Sequence, residues 1–325
     1  ALRVIEDYCR FVLNDATLSR ELKELRHSLA TAAETIDGWS LASARDTHGD
    51  VGTSISTAEE FCRDSLIDVV HANCKRLQES LRSLEEHSKV IQPKAASALE
   101  QIRYRSYVVE SALLLGTHAR RKLQNARLYL IATASQCAAS LEFVISEACA
   151  GGVDIVQLRE KELSDRELID RARKVRRWTR DAGVLFIMND RPDIARLVEA
   201  DGVHLGQDDL PVHAARRILG PDSIIGVSTH NLAQVRQAVL DGASYIGVGP
   251  IFPSSTKEFE EFPGLDFVRA AAAETTLPAF ALGGISMTNV DQVVAAGASR
   301  IAVSSAICTV DEPQPVAREL RNRLR

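Results

Sequence analysis

The chain has 325 residues, 45% of them hydrophobic, which is long enough for two domains and apolar enough for a sizeable buried core. Its formal net charge of -5 at pH 7 argues against a general nucleic-acid-binding protein, because such proteins normally carry a basic excess. No apolar run approaches the roughly 20 residues that a membrane-spanning helix needs.

Residues 1–124 show the pattern of an all-α domain with little strand. Apolar residues recur there at helical spacing, first from Leu2 to Val12 and then from Leu18 to Leu29. Two longer amphipathic helices are predicted over residues 65–90 and from Pro93 onward. A polar, glycine-bearing loop separates the second helix from the third, and residues 120–125 are predicted to form the hinge to the next domain.

From residue 126 short apolar runs alternate with amphipathic helices. Strands are predicted at residues 128–132, 154–158, 185–189, 202–205, 224–228, 245–249, 279–282 and 301–304. Helices are predicted between and after them, at residues 141–150, 165–182, 192–200, 212–219, 232–240, 265–273, 289–296 and 315–324. Parallel strands need such crossovers and eight of them close a barrel, so we expect a (β/α)8 TIM barrel over residues 125–325. A doubly wound open sheet is the rival architecture, but polar residues follow nearly every strand rather than clustering at one switch point.

The second predicted strand ends abruptly in charge, with the sequence QLREK at residues 157–161. Side chains at the C-terminal strand ends of a barrel face one pocket. Gln157, Arg159 and Lys161 alternate, so they lie on one face of an extended segment. An arginine fork and a lysine point charge suit phosphate oxygens, while a neutral amide suits the edge of a heterocycle. The alternative is a surface ion cluster between Arg159 and its glutamate neighbours.

The next two strand ends are acidic. Asn189 and Asp190 follow the third strand, and Asp208 and Asp209 follow the fourth. Magnesium prefers one or two carboxylates together with water and substrate phosphate oxygens. Asp190 and Asp209 are therefore the predicted Mg²⁺ ligands. For Asp190 a capping role is the alternative, because Asn-Asp-Arg-Pro is also typical of a helix start.

Later strand ends add hydroxyl groups, a third cation and glycines. Ser228 follows strand five and is expected to donate to a leaving diphosphate. The long loop after strand six contains hydroxyl side chains and Lys257, as active-site lids often do. A glycine pair ends at Gly284 and a Ser-Ser-Ala turn begins at Ser304, where backbone N–H groups of such barrels frequently bind a phosphate. Two anion sites of different character predict two phosphorylated substrates.

Together these segments closely resemble the thiamine-phosphate synthase family. The matching motifs are QLREK at 157–161, NDR at 189–191, DGVHLGQDD at 201–209, GVSTH at 226–230, GPIFPSSTK at 249–257, GGI at 283–285 and VSSAI at 303–307. They occur in order, at barrel spacing, over residues 126–325. The resemblance implies Mg²⁺-dependent joining of a pyrimidine diphosphate to a thiazole monophosphate. Diphosphate would be the leaving group, and no protein nucleophile would be needed.

The resemblance also implies a role for each matching residue. The pyrimidine diphosphate would be bound by Gln157, Leu158, Arg159, Glu160, Lys161, Asn189, Ser228 and Lys257, of which Arg159, Lys161, Ser228 and Lys257 would act in catalysis. Mg²⁺ would be bound by Asp190 and Asp209. The thiazole phosphate would be bound by Ser254, Ser255, Thr256, Gly284, Val303 and Ser304. The acidic residues 258–261 depart from the family pattern without removing a required charge.

The helical half resembles the N-terminal extension of long-form synthases, which implies a pyrimidine-phosphate kinase. The residues themselves give mixed support for a kinase. Residues 45–50 form a dense polar loop, and polar residues from Asn73 to Glu85 recur every three positions on one helix. No G-x-x-x-x-G-K-[ST] phosphate loop occurs, however. A solvated helix face with an oligomerisation module is therefore the alternative.

Two other functions stay open for the barrel, a thiazole tautomerase and a non-catalytic phosphate-sensing protein. Neither would need Lys161, Asp190 and Asp209 together. We expect small-molecule substrates, neither nucleic acid nor a membrane as a partner, and a homo-oligomer as one option. Six scattered cysteines without a C-x-x-C pair predict free thiols, which are usual in a reducing cytoplasm. The first residues show no signal-peptide pattern, which also favours a cytoplasmic location.

Overall fold

The computed structural model describes residues 1–36, 48–50, 62–114, 117–253 and 262–324. They form two compact units, Ala1–Ser111 and Ala112–Arg325. The first unit is helical, and strands and helices alternate in the second. The predicted fold class, a (β/α)8 barrel preceded by helices, is confirmed.

Four helices are seen in the described residues of the first unit. They are α1 Leu2–Asp7, α2 Ala16–Glu34, α3 Leu66–Ile91 and α4 Pro93–Leu114, with a π-helical turn at Tyr8–Val12. The side chains of Asp15 and Ser65 cap α2 and α3, because they accept hydrogen bonds from backbone N–H groups of the first turn. Leucines at helical spacing on α2 and α3 are buried, namely Leu18, Leu22, Leu25, Leu77 and Leu81.

A buried ion pair joins α3 to α4. Nε of Arg103 donates to Oε2 of Glu85 at 2.8 Å, and the two side chains are only 9% and 2% exposed. Nη1 of Arg103 also donates to the hydroxyl of Tyr107 at 3.1 Å. Its guanidinium lies 4.6 Å from the ring centroid of Tyr104, within the range of a cation–π contact. Glu85 therefore belongs to the packed interior of the helical unit, not to a solvated helix face.

Eight parallel strands close the barrel of the second unit. They are β1 Leu128–Ala132, β2 Ile155–Leu158, β3 Leu185–Asn189, β4 Gly202–Leu205, β5 Ile224–Thr229, β6 Tyr245–Val248, β7 Ala279–Leu282 and β8 Ile301–Val303. Each strand pairs with the next, and β8 pairs with β1, where Ile301 lies opposite Leu128. This closure excludes the doubly wound open sheet.

Helices precede β1 and connect the strands. They are α5 Thr117–Lys122, α6 Leu141–Ala150, α7 Asp165–Ala182, α8 Pro192–Leu197, α9 Val212–Leu219, α10 Leu232–Leu240, α11 Gly264–Glu274, α12 Val290–Ala295, α13 Ser305–Cys308 and α14 Pro313–Arg323. The sequence pattern does not predict α5 or α13. The four residues of α13 are too few to show a helical period, and α5 overlaps residues 120–125, the predicted hinge.

Aromatic side chains fill the interior of the barrel. Tyr129, Tyr245 and Phe280 are at most 1% exposed, and their ring centroids lie 5.3 to 5.9 Å apart. Isoleucines of neighbouring strands surround them, namely Ile155, Ile187 and Ile224. Gly226 leaves the space that one ring needs, because a Cβ atom there would lie 2.0 Å from the ring of Tyr245. The glycine that begins the GVSTH motif is thus a packing requirement.

Two further properties are the hydropathy of the helices and the chemical state of the cysteines. Within the described residues, no helix combines the length and apolar character needed to cross a membrane. All six cysteines are free thiols. Burial raises the pKa of Cys9 and Cys74 to about 12, so these two thiols stay protonated at neutral pH.

Removing the cation of the buried pair should destabilise the helical unit. In Arg103→Met the carboxylate of Glu85 stays buried but loses this partner, which we expect to lower local stability by about 2 kcal/mol. Hydrogen exchange of the amides in α3 and α4 would measure the loss. The matched control is Arg105→Met, which removes the more exposed pair with Glu21 and should cost less than about 1 kcal/mol. Equal effects of the two substitutions would contradict this account.

Candidate active site

A cavity of about 290 Å³ lies at the C-terminal ends of the strands. Most of the predicted site residues line it, namely Gln157, Arg159, Lys161, Asn189, Asp190, Asp209, Ser228, Gly284, Val303 and Ser304. The predicted residues of the loop after β6, Ser254, Ser255, Thr256 and Lys257, lie outside the described part of the chain. The closed barrel thus gathers residues from six different strand ends around one cavity.

Alternation along β2 and the following loop decides which side chains of the QLREK motif face the cavity. Gln157, Arg159 and Lys161 line it, whereas Leu158 is fully buried in the barrel wall. Glu160 is likewise absent from the lining. The odd-numbered half of the motif therefore carries the polar chemistry, as the strand period predicts.

The side chain of Glu160 is instead part of the supporting structure. Its Oε1 accepts a hydrogen bond from the backbone N–H of Ala134 at 2.9 Å and another from Nη1 of Arg171 at 2.7 Å. These bonds tie the loop after β2 to the loop after β1 and to α7. The position of the Glu160 side chain gives no support to the predicted contact with substrate.

Asp190 and Asp209 form the acidic part of the site, with cations beside them. Nζ of Lys161 lies 3.8 Å from Oδ2 of Asp190. Burial, and after it the hydrogen bond and negative charge of Asp209, raises the pKa of Asp190 to about 6. The positive charges of Lys161 and Arg159 lower this pKa, but they do not outweigh burial and repulsion. Acids and cations therefore form one electrostatic cluster, as the sequence predicts for a diphosphate site.

The backbone places Asp190 in an unusual conformation. Its φ is 60°, in the left-handed region that non-glycine residues rarely adopt. The backbone N–H of Asp190 donates to the carbonyl of His204 at 2.9 Å, and that of Arg191 donates to the carbonyl of Asn189 at 2.7 Å. The residue before α8 is Arg191, and α8 shows no side-chain cap, so the capping alternative for Asp190 is not supported.

The guanidinium of Arg191 holds this turn in place. Its Nη2 donates to Asp193 at 2.7 Å, and its Nη1 donates to Asp165 at 2.7 Å. Asp165 is the first residue of α7, the helix that follows the QLREK motif. One side chain therefore bridges the loop that follows β2 and the loop that follows β3.

The donor set at this end of the cavity fits a magnesium ion. Carboxylate oxygens are hard donors, and a divalent cation between Asp190 and Asp209 would relieve the repulsion that raises the pKa of Asp190. Among the described residues, no cluster of three or more His, Cys, Asp or Glu side chains could enclose a metal ion. The protein would thus contribute two carboxylate ligands, and water and phosphate oxygens would complete the coordination shell of the ion.

The opposite side of the cavity has no charged side chain in its lining from β7 and β8. Gly283 and Gly284 have φ values of 99° and 62°, and a Cβ atom on Gly284 would lie 2.4 Å from the carbonyl oxygen of Pro253. Oγ of Ser304 is buried without a hydrogen-bond partner among the described residues. Close backbone approach and an unused hydroxyl group suit a phosphate.

Several polar residues of the cavity are missed by the sequence analysis, above all His204. It lies on β4, two residues after Gly202, and its ring stacks on Tyr245 with centroids 5.5 Å apart. Burial lowers the pKa of His204 to about 4, so the imidazole is neutral at physiological pH. The alternation rule that identifies Gln157 on β2 would have identified His204 on β4. Tyr129 and Tyr245 give no such signal, because their rings fit the apolar pattern of a core strand.

Comparisons with known proteins match both units. Residues 128–307 match the model of a family described as thiamine monophosphate synthase, and residues 1–112 match that of the ThiD2 family. The thiamine-phosphate synthase of Rhodopirellula baltica is 42% identical, over 99% of this chain and 88% of that protein. The thiamine-phosphate synthase of Nostoc punctiforme is 41% identical, over 99% of this chain and 90% of that protein.

A solved structure matches the barrel. Thiamine phosphate pyrophosphorylase from Pyrococcus furiosus is 33% identical with a TM-score of 0.57, and the match covers 63% of this chain and 97% of that one. The barrel of this chain is therefore similar to nearly the whole of that solved chain.

The raised pKa of Asp190 predicts a cost in stability. Between pH 3.8, the ordinary pKa of an aspartate, and about pH 6 the folded chain binds more protons than the unfolded chain, so stability falls as pH rises through this window. Without metal at pH 8, Asp190→Asn should be more stable than the native chain by about 1 kcal/mol, after allowance for solvent screening. The advantage should vanish below pH 4, as measured by denaturant unfolding with a chelator. Asp208→Asn, at an exposed carboxylate nearby, controls for net charge, and an equal gain there would contradict the assignment.

Proposed function

This chain belongs to the thiamine-phosphate synthase family of transferases, and we propose that its barrel joins 4-amino-2-methyl-5-(diphosphooxymethyl)pyrimidine to a thiazole phosphate. The products are thiamine phosphate and diphosphate. The observation that supports this reaction best is the placement of Arg159 and Lys161 beside Asp190 and Asp209 at one cavity. A polyanion that leaves with a metal ion needs this combination of charges.

The residues of the cavity support departure of diphosphate before the new bond forms. Arg159 and Lys161 bind the diphosphate oxygens, and Ser228 donates a hydrogen bond to the same substrate. A Mg²⁺ ion held by Asp190 and Asp209 would neutralise charge that develops on the leaving group. The pyrimidine ring stabilises the cation left at its methylene carbon, so the protein supplies electrostatics and positioning, not a nucleophile.

The thiazole phosphate occupies the neutral side of the cavity in this proposal. Gly284, Val303 and Ser304 surround its phosphate, and the thiazole nitrogen attacks the methylene carbon of the pyrimidine. Ser254, Ser255 and Thr256 are predicted to approach the thiazole phosphate, and Lys257 the diphosphate. Asn189 holds the pyrimidine substrate, because it lines the cavity next to the acidic pair.

The geometry favours the synthase over the two other functions. A thiazole tautomerase transfers no diphosphate, so it would have no use for the pairing of Lys161 with Asp190 at 3.8 Å. A phosphate-sensing barrel would have no use for a carboxylate pair in which burial, and after it the second carboxylate, raises the pKa of Asp190. We also propose a cytoplasmic location, which agrees with six free thiols.

For the helical unit, whose residues 1–112 match the ThiD2 family, we propose a pyrimidine-phosphate kinase. Such an activity would supply the diphosphate substrate of the barrel. A domain boundary near residue 124 stays a prediction, as does a homo-oligomer formed through the helices. The polar loop that motivates the kinase lies mostly outside the described residues, and only His48 and Asp50 of its charged positions are described, both exposed.

Substitutions at the charged cluster should abolish coupling. We expect Lys161→Gln and Asp209→Asn to lower kcat at least about 100-fold, because each removes charge that stabilises the departing diphosphate. Product formation from the two substrates would be measured across a Mg²⁺ titration. Asp209→Asn should also raise the Mg²⁺ concentration at half-maximal rate. Lys174→Gln, at an exposed lysine of α7, is the matched control, and a loss there equal to that of Lys161→Gln would contradict the assignment.

The kinase proposal can be tested in the full chain after coupling is disabled by Asp209→Asn. Incubation with ATP and the pyrimidine monophosphate should yield the pyrimidine diphosphate, detected by phosphorus NMR. Absence of this product, with the helical unit still folded by circular dichroism, would refute the kinase. Light scattering on the same sample would then test the alternative oligomerisation module.

A further inference from the structure

A continuous chain of hydrogen bonds crosses the barrel beneath the cavity. Nε2 of Gln157 lies 2.8 Å from the hydroxyl of Tyr129, which lies 2.9 Å from the hydroxyl of Tyr245. That hydroxyl lies 3.0 Å from Nδ1 of His204, whose Nε2 lies 2.8 Å from Oγ of Ser228. We call these five residues the relay. Its two ends, Gln157 and Ser228, line the cavity.

Burial restricts the relay to two proton arrangements. Tyr129 and Tyr245 are 1% and 0% exposed, and a buried hydroxyl proton without a partner is costly. Each hydroxyl has one proton, and a neutral imidazole has one donor and one acceptor nitrogen. Every bond is therefore satisfied only if all donors point in the same direction along the relay. One arrangement begins with an N–H of Gln157, and the other begins with the O–H of Ser228.

The two arrangements present opposite groups to a ligand. In the structure Nε2 of Gln157 donates to the hydroxyl of Tyr129. The Tyr129 hydroxyl then donates to Tyr245, and the Tyr245 hydroxyl donates to Nδ1 of His204. His204 therefore carries its proton on Nε2 and donates it to Ser228. The hydroxyl proton of Ser228 is then left for the cavity, and Oε1 of Gln157 is left as an acceptor. In the reverse arrangement Ser228 can only accept from a ligand, and Gln157 offers both N–H groups.

We propose that Tyr129, Tyr245 and His204 are positioning residues that couple the hydrogen-bond polarity of Gln157 to that of Ser228, and so select an aminopyrimidine diphosphate. The inference rests on the proposed function and deepens it. Diphosphate oxygens only accept hydrogen bonds, so a diphosphate at Ser228 requires the arrangement that begins with an N–H of Gln157. The same direction gives Gln157 an acceptor for the exocyclic amino group. A 4-oxo pyrimidine diphosphate would require an N–H at Gln157 and would turn Ser228 into an acceptor against the diphosphate.

Tyrosine-to-phenylalanine substitutions test the coupling, because they keep the rings that pack in the core and remove only the hydroxyl groups. In the native chain kcat/KM should favour the 4-amino over the 4-oxo pyrimidine diphosphate. Tyr129→Phe and Tyr245→Phe should each lower this ratio about tenfold, which is the scale of one hydrogen bond. The double substitution should lower it no further, because the relay is already interrupted. Tyr104→Phe, in the helical unit and outside the relay, should leave the ratio unchanged.

A purely structural role of the two tyrosines gives a different result. It would reduce kcat/KM for both substrates by the same factor and leave the ratio constant, and additive losses in the double substitution would also refute the coupling. Thermal unfolding of each variant establishes that the barrel is folded.

Nitrogen-15 NMR of the full chain provides a readout that does not depend on coupling activity. The His204 signal, identified by its loss in His204→Gln, should show the Nε2–H tautomer in the native chain and a mixture in Tyr245→Phe. An Nδ1–H tautomer in the native chain would overturn the proposed direction. If the chain formed no thiamine phosphate but kept the Nε2–H tautomer, the synthase proposal would fail while the relay stood.

Discussion

The barrel holds two carboxylates close together at one mouth, and the electrostatic cost of that arrangement explains much of the site. Burial and mutual repulsion raise the pKa of Asp190 to about 6. Arg159 and Lys161 offset part of this repulsion, and a divalent cation would offset more of it. A diphosphate responds to the same charges, because its oxygens bind to cationic side chains and to metal ions alike. The lower stability that this carboxylate pair causes and the proposed affinity for diphosphate therefore have one physical origin.

Residues of the barrel interior combine packing with the proposed role in recognition. The rings of Tyr129 and Tyr245 pack against Phe280, while their hydroxyl groups continue the hydrogen bonds between Gln157 and Ser228. A polar chain of this kind is stable in a core only when every member has a partner. The packed core is thus continuous with the proposed binding site. Gly226 leaves room for the ring of Tyr245, which both the packing and the relay require.

Sequence reasoning succeeds where chemistry follows from a local period. Apolar runs of four or five residues predict the strands, and charges that end those runs predict the rim of the barrel, as at Arg159 and Asp190. It fails where the partner is distant or the element is short. The polarity of Glu85 predicts exposure, but its partner Arg103 comes from another helix. The position of Glu160 within the QLREK motif predicts contact with substrate, yet its side chain accepts hydrogen bonds from Ala134 and Arg171.

The bridge made by Arg191 has a mechanical consequence. Its guanidinium holds Asp165 and Asp193, so the two loops that carry Lys161 and Asp190 are fastened to each other as well as to the strands. A displacement of either loop would therefore move both Lys161, the proposed diphosphate ligand, and Asp190, the proposed Mg²⁺ ligand. In the proposed reaction, release of diphosphate would thereby be linked to release of Mg²⁺.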